Sequence, residues 1–110
     1  MERLNYAGES ILTGSAIAEA VLDYAEALAK SDGSATIEIP TREPDGTIGV
    51  ARLLIGPASQ LITVEERSGL PEVEDDELVE DFKAKTRALG PSRAEANEQY
   101  DNDPFPNIDI

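Results

Sequence analysis

Residues 15–30 read SAIAEAVLDYAEALAK, and this stretch decides the fold. At 100° per residue its apolar side chains gather on one wide stripe, and its charged side chains fall on the opposite side. The stripe consists of Ile17, Val21, Tyr24 and Leu28, with Ala18, Leu22, Ala25 and Ala29 beside it. The spacing therefore predicts an amphipathic helix, capped by Thr13 or Ser15, whose apolar stripe other elements must cover.

The segments on either side of this helix have the character of strands. Residues 2–14 contain two short apolar pieces separated by Ala7-Gly8-Glu9, which predicts a short strand or a hairpin. After the helix, β-branched and aliphatic residues predict strands near residues 36–41, 47–55 and 60–66. These elements are the candidates for covering the apolar stripe of the helix.

The loop at residues 44–46, Pro-Asp-Gly, sets the register of the first two of these three strands. A three-residue loop with Gly46 in the left-handed conformation pairs residues whose numbers sum to 90, so Glu38 lies opposite Arg52. A two-residue Asp-Gly turn would shift the pairing by one residue and place Glu38 opposite Leu53. Because burial of that carboxylate is costly, the sequence favours the three-residue loop.

A second turn, at residues 56–59, is expected to return the third strand against the second, with Leu53 opposite Ile62. The result is a three-stranded antiparallel meander with two unlike faces. The face predicted to lie on the helix carries Ile37, Ile39, Ala51, Leu53, Ile55, Ile62 and Val64. The other face carries Glu38, Arg52, Thr63 and Glu65, but also the apolar residues Ile48, Val50, Leu54 and Leu61.

A second helix is predicted from about residue 75 to residue 89. Acidic residues lie at its start and basic residues near its end, which is the arrangement that the helix dipole favours. Residues 91–110 show no periodicity and are expected to form a disordered acidic tail. The predicted fold is therefore a single small α+β domain over residues 1–90, followed by that tail.

The composition excludes several functional classes. The formal net charge of −14 makes nucleic acid and anionic lipid poor partners, since both require clustered Lys and Arg. The chain has neither Cys nor His, so disulfides, zinc-thiolate sites and imidazole catalysis are excluded. Carboxylates interrupt the longest apolar run, which argues against a membrane span. The absence of Cys fits a cytoplasmic protein. No phosphate-binding, dinucleotide-binding or nucleophile-elbow motif is present, so we expect a non-catalytic protein with no cofactor.

Two features predict partner binding. If neither the second helix nor the N-terminal segment covers the half-apolar sheet face, then Ile48, Val50, Leu54 and Leu61 form an interface for another protein or for a second copy, giving a homodimer. The end of the tail is the second feature, since apolar residues there lie among acids and prolines as in a short linear recognition motif. The anchors of this motif are Phe105, Ile108 and Ile110.

Other interpretations of the charged residues remain open. Arg52 is expected to pair with Glu38 across the sheet, or else to bind the carboxylate or phosphate of a ligand. The acidic run at residues 72–81 is expected to be a solvated helix start and lacks the spacing of a calcium loop, so no metal residue is predicted. The alternatives to a protein-binding module are a small-molecule or divalent-cation binding domain and an acidic DNA mimic that occupies a basic groove on a partner.

Overall fold

The computed structural model describes residues 1–90 of the chain. The elements in chain order are β1 (Glu2–Tyr6), β2 (Glu9–Thr13), α1 (Ser15–Lys30), β3 (Ala35–Arg42), β4 (Ile48–Ile55), β5 (Leu61–Glu65) and α2 (Asp76–Ala88). All strand pairs are antiparallel, and the strands form two sheets. The α+β class is therefore confirmed, whereas the tail predicted over residues 91–110 lies outside the described residues.

The β3–β4 hairpin has the predicted register. Ile37 pairs with Leu53, Glu38 with Arg52 and Ile39 with Ala51. The loop has three residues, and Gly46 adopts a φ of +90°, the left-handed conformation that this loop requires. The Glu43 amide donates to the Thr47 carbonyl at 2.8 Å and closes the hairpin.

The predicted three-stranded meander is wrong, because β5 does not pair with β4. It pairs with β1, and the first sheet has the strand order β2-β1-β5. Thr63 lies opposite Leu4, and Leu61 lies opposite Tyr6. Leu61 and Thr63 therefore share the inward face of Leu4, which is buried, whereas Ile62 points outward.

The physical reason is that the alternation within β5 does not identify its buried face. Both alternate sets in Leu61–Glu65 contain apolar side chains, so either set can face a core. β1 offers backbone pairing and also an ion pair: the Arg3 guanidinium donates to both carboxylate oxygens of Glu66, from Nε at 2.9 Å and from Nη2 at 2.6 Å. This contact fixes the end of β5 beside β1.

Helix α1 occupies the predicted residues and buries the predicted stripe. Ile17, Val21, Tyr24 and Leu28 are all buried, and they pack with Leu4 and with the inward side chains of β3 and β4. The helix ends in a Schellman motif, in which the Gly33 amide donates to the Leu28 carbonyl at 2.8 Å. Inward side chains of both sheets and one stripe of α1 thus form a single core.

The predicted cap of α1 by Thr13 or Ser15 is wrong. The N-cap residue is Gly14, which makes no side-chain cap, and the Ser15 amide donates to the Glu72 carboxylate at 2.7 Å. A Cβ atom at position 14 would lie 1.8 Å from the Val73 carbonyl oxygen, so only glycine permits this approach of two backbones. The segment leading into α2 therefore supplies the cap from 57 residues away in sequence.

Helix α2 packs against α1 and not on the sheets. The Tyr24 and Phe82 rings stack with centroids 5.8 Å apart and planes inclined by 21°. The Asp75 carboxylate caps α2 by accepting a hydrogen bond from the Leu78 amide at 3.1 Å. Within residues 1–90, neither helix is long and apolar enough to cross a membrane.

Candidate functional site

The outer face of the β3–β4 hairpin, defined here by Glu38, Ile48, Val50, Arg52 and Leu54, is the main apolar surface left uncovered. Its apolar side chains are largely exposed: Ile48 at 55 %, Val50 at 71 % and Leu54 at 60 %. The opposite face of the same strands is buried against α1. Within the part of the chain that the structure describes, neither α2 nor the N-terminal hairpin covers the outer face.

An ion pair crosses the middle of this outer face. Arg52 donates from Nε at 3.0 Å and from Nη2 at 2.7 Å, both to the same Glu38 oxygen, Oε2. The predicted cross-strand pair is therefore present, and both side chains are exposed. Among the described residues, Arg52 Nη1 makes no hydrogen bond, so the guanidinium retains donors for a further acceptor.

Among residues 1–90, no strand pairs with the edge of β4 that faces away from β3. The Glu43–Thr47 bond fixes the alternation of the hairpin, so odd-numbered residues of β4 bond to β3 and even-numbered residues turn their amides away from it. This alternation turns the Leu54 carbonyl away from β3, and the Tyr6 hydroxyl donates a hydrogen bond to it. The N–H and C=O groups of Ile48, Val50 and Arg52 point toward the same edge. They form a template for one more strand.

A side cleft of about 380 Å³ adjoins this free edge, between β4 and the β1–β2 hairpin. The lining is largely apolar, with charge at the rim. The lining residues are Leu4, Tyr6, Ala7, Glu9, Ile11, Ala51, Arg52 and Leu53. Ala51, Arg52 and Leu53 of β4 line one side of this cleft, and Tyr6 of β1 lines the other.

The structure separates the predicted partner-binding residues into three groups. Ile48, Val50 and Leu54 lie together on the outer face. Leu61 does not lie with them, because β5 joins β1 and turns Leu61 toward the core. The tail anchors at residues 105, 108 and 110 lie outside the described residues.

The prediction that Ile62 and Val64 lie on the sheet face toward α1 is wrong. Ile62 is 61 % exposed and Val64 is 52 % exposed, on the face of the first sheet that points away from α1. Their alternation with Leu61 and Thr63 was visible in the sequence, but the pairing partner that selects the exposed set was not. These residues form a second, smaller apolar patch.

Polar contacts fasten the connection between β5 and α2. The Arg42 side chain donates from Nη1 to the Gly46 carbonyl and from Nη2 to the Pro71 carbonyl, both at 2.8 Å. The hydrogen bond from the Ser15 amide is the main cause that lowers the pKa of the Glu72 carboxyl, and Glu72 also accepts from the Met1 amino group at 3.1 Å. These contacts hold the connection against the β3–β4 loop, the N-terminus and the start of α1, and none of them lies on the outer face.

The acidic residues of residues 1–90 do not form a cluster suited to a cation. No group of three or more of the metal-ligating side chains lies together in this part of the chain. Of the acidic run at residues 72–81, Glu72 and Asp75 cap the two helices. The described residues thus present an exposed apolar surface with one embedded ion pair.

No family model, curated protein or solved structure was found to match this chain.

Proposed function

We propose that this protein is a non-catalytic, cytoplasmic protein-binding module whose recognition surface is the outer face of the β3–β4 hairpin. The observation that supports the proposal is the exposure of Ile48, Val50 and Leu54 side by side on one hairpin. Exposed contiguous apolar side chains mark interfaces in soluble proteins. The inner face of the same hairpin is held by the core, so the surface is preorganised for binding.

The net charge favours a different protein over a second copy of this chain as the partner. Each copy carries a net charge of −14, so two copies repel each other at low ionic strength. The outer face itself is different, since the charges of Glu38 and Arg52 balance within it. A partner with an apolar centre and a neutral or basic rim fits both the face and its acidic surroundings.

The charge that disfavours a second copy also disfavours a nucleic acid. Only 9 Lys and Arg residues stand against 23 Asp and Glu residues in the chain. A phosphate backbone requires a concentrated basic surface. We therefore place a protein, and neither DNA nor RNA, on the outer face.

Paired surface variants test this proposal. Val50→Asp with Leu54→Asp places two charges on the outer face, whereas Ile62→Asp with Val64→Asp places two charges on the exposed patch of β5 as a matched control. We expect the first variant to lose partners that the unaltered full chain captures, with at least a tenfold loss of affinity for a purified partner. Equal capture by all three proteins would contradict the proposal.

The mass of the unaltered protein in solution completes the test. Light scattering at high protein concentration is expected to give the mass of one chain. A mass of two chains that the Val50→Asp, Leu54→Asp variant reduces to one would instead assign the outer face to a homodimer.

A further inference from the structure

A second cleft, called the loop cleft here, lies between the β1–β2 hairpin, the β3–β4 loop and the connection that follows β5. Its volume is about 310 Å³. This is near the lower end of the range for ligand pockets, roughly 300–1,000 Å³, so a compact small molecule fits it best. None of the five residues that define the outer face lines it. The residues that line it with polar side chains include Arg3, Ser10, Arg42, Glu43 and Ser68.

Arg42, at the end of β3, brings a positive charge to the loop cleft. Its side chain is half-buried, and within residues 1–90 no carboxylate forms an ion pair with it. Its two hydrogen bonds go to the neutral carbonyls of Gly46 and Pro71. Its Nε atom is buried and has no hydrogen-bond partner among the described residues. Because charges removed from water are normally paired, an uncompensated guanidinium at a cleft indicates a site for an anion.

The two acidic side chains of the loop cleft are engaged by other groups. The Arg3 guanidinium donates to both carboxylate oxygens of Glu66. The Oε2 atom of Glu43 accepts a hydrogen bond from the Thr41 hydroxyl at 2.6 Å. The charges of Arg3 and Glu66 therefore cancel, and Glu43 is held by Thr41 and does not pair with Arg42.

Neutral side chains complete the lining of the loop cleft. The Ser10 side chain is exposed, so its hydroxyl can donate to a ligand. The Ser68 hydroxyl accepts from the Leu70 amide at 3.1 Å and keeps its own hydrogen for a further acceptor. Apolar side chains of Leu12 and Leu70 lie beside these groups. The lining thus offers a cation, two hydroxyl donors and an apolar wall.

We propose that the loop cleft binds a small organic anion, whose carboxylate or phosphate group lies against Arg42 and whose apolar part contacts Leu12 and Leu70. Each Nη atom of Arg42 uses one N–H group and carries a second, and the bond from Nη2 is at the exposed side. Hydrogen bonds between a guanidinium and a carboxylate or phosphate are among the strong ones. Salt screens the repulsion by the distant acids beyond about 8 Å, so the contacts at Arg42 decide the sign.

This inference goes beyond the proposed function and does not depend on it. The loop cleft shares no residue with the outer face, so binding of an anion and binding of a protein partner are tested separately. An anion at Arg42 would also lie between the β3–β4 loop and the connection after β5. It would therefore stabilise the contacts of Arg42 with Gly46 and Pro71.

An NMR titration of the full-length protein tests the proposal. Benzoate and phenyl phosphate are the anionic probes, and benzamide is the neutral control with nearly the shape of benzoate. We expect an anionic probe to shift the backbone amide signals of residues 10–12, 41–43 and 68–70, and benzamide to leave them in place. Binding of one anion and not the other would support the proposal and assign the head group. Equal shifts with benzamide, or no shift with either anion at millimolar concentration, would overturn it.

Two variants with the same change of charge locate the site. Ser10→Asp places a carboxylate at the exposed rim of the loop cleft and is expected to weaken binding of the anionic probe at least about tenfold. Ser34→Asp is the matched control, because Ser34 is also exposed but does not line the cleft, and binding is expected to stay within about twofold. Equal weakening by both variants would contradict the assignment.

Arg42→Gln removes the proposed positive charge and is expected to abolish binding of the anionic probe. Because Arg42 also holds the β3–β4 loop, the NMR spectrum of this variant is compared first with that of the unaltered protein. A folded Arg42→Gln variant that binds the probe with unaltered affinity would overturn the proposal. If the variant does not fold, the comparison of Ser10→Asp with Ser34→Asp decides.

Discussion

β4 and β5 are short apolar strands separated by five residues, yet they are held in different ways. β4 pairs with β3 across a three-residue loop, and its register is fixed within 21 residues of chain, Ala35–Ile55. β5 pairs with β1, so its contacts join residues about 60 positions apart. Local pairing is determined by the loop itself, whereas non-local pairing depends on which distant edge is free when the core assembles.

The two strands also differ in how their alternation encodes burial. In β4, the charged residue Arg52 marks the outward set, so the buried set follows at once. In β5, apolar residues occur at both odd and even positions, so the sequence does not show which set is buried. Pairing with β1 places Leu61 inward and Ile62 outward. The following predictions test this difference, from the largest effect to the smallest.

The inward set of β4 is expected to carry the largest share of stability. Ile55→Ala removes a side chain that is fully buried in the core and is expected to destabilise the protein by about 3 kcal/mol. Urea unfolding of the variant and the unaltered protein gives the difference. Leu54→Ala, on the exposed side of the same strand, is the control and is expected to change stability by less than about 0.5 kcal/mol. Equal effects of the two changes would contradict the assignment of the faces.

The loop that fixes the β4 register is expected to depend on Gly46. Gly46→Ala forces a Cβ atom into a φ of +90° and is expected to cost about 1 kcal/mol. Gly69→Ala is the control, because a Cβ atom there meets nothing within 4 Å and Gly69 has no positive φ. Thermal unfolding is expected to shift only for the Gly46 variant, and an unaltered midpoint would argue for a different loop.

Glu72, in the connection after β5, is expected to make a pH-dependent contribution to the free energy of unfolding. The hydrogen bond from the Ser15 amide lowers the pKa of this carboxyl, so its contribution is complete above the ordinary glutamate pKa and is lost as the pH falls through the lowered value. Glu72→Gln is expected to destabilise the protein by about 0.5 kcal/mol at pH 7, given the solvent exposure of the group.

The difference in stability between the unaltered protein and Glu72→Gln, measured by urea unfolding, is expected to shrink as the pH falls below the ordinary glutamate pKa. Comparison with a single variant isolates this group from the many other acids that titrate in the same range. A difference that stays constant over this range would show that the Glu72 carboxylate does not cap α1.

The smallest effect is expected on the outward set of β5. Ile62→Ala is expected to change the free energy of unfolding by less than about 0.5 kcal/mol, since Ile62 is mostly exposed. A meander with Ile62 on the buried face would instead give a loss of about 3 kcal/mol. Calorimetry of this one variant therefore separates the two strand orders.

Periodicity and local turns were sufficient to predict most elements of the fold. The apolar stripe of α1, the acidic start of α2 and the left-handed Gly46 each follow from short-range physical chemistry. The outer face of β4 followed in the same way, because Arg52 and its apolar neighbours alternate with the buried residues. For these reasons three of the four predicted sheet-face residues lie where they were expected.

The remainder could not be predicted, because it depends on distant segments. The cap of α1 comes from Glu72, and the approach of the Val73 carbonyl explains why the N-cap residue is glycine and not serine. The strand partner of β5, the Arg3–Glu66 pair and the side cleft likewise require the assembled chain. No short sequence window contains both halves of any of these contacts.

Pro40 hinders the addition of a strand from another molecule to the edge of β3. Pro40 lies at a position of β3 whose backbone polar groups point away from β4. Because proline has no N–H, the outer edge of β3 lacks one hydrogen-bond donor there. The Pro40 carbonyl already accepts a hydrogen bond from the Thr13 hydroxyl at 2.7 Å. The β3 side of the hairpin is thus a poor template for a strand from another molecule. Polymerisation seeded at this hairpin would have to start from β4, so the exposure of the β4 edge bears on whether the protein remains dispersed at high concentration.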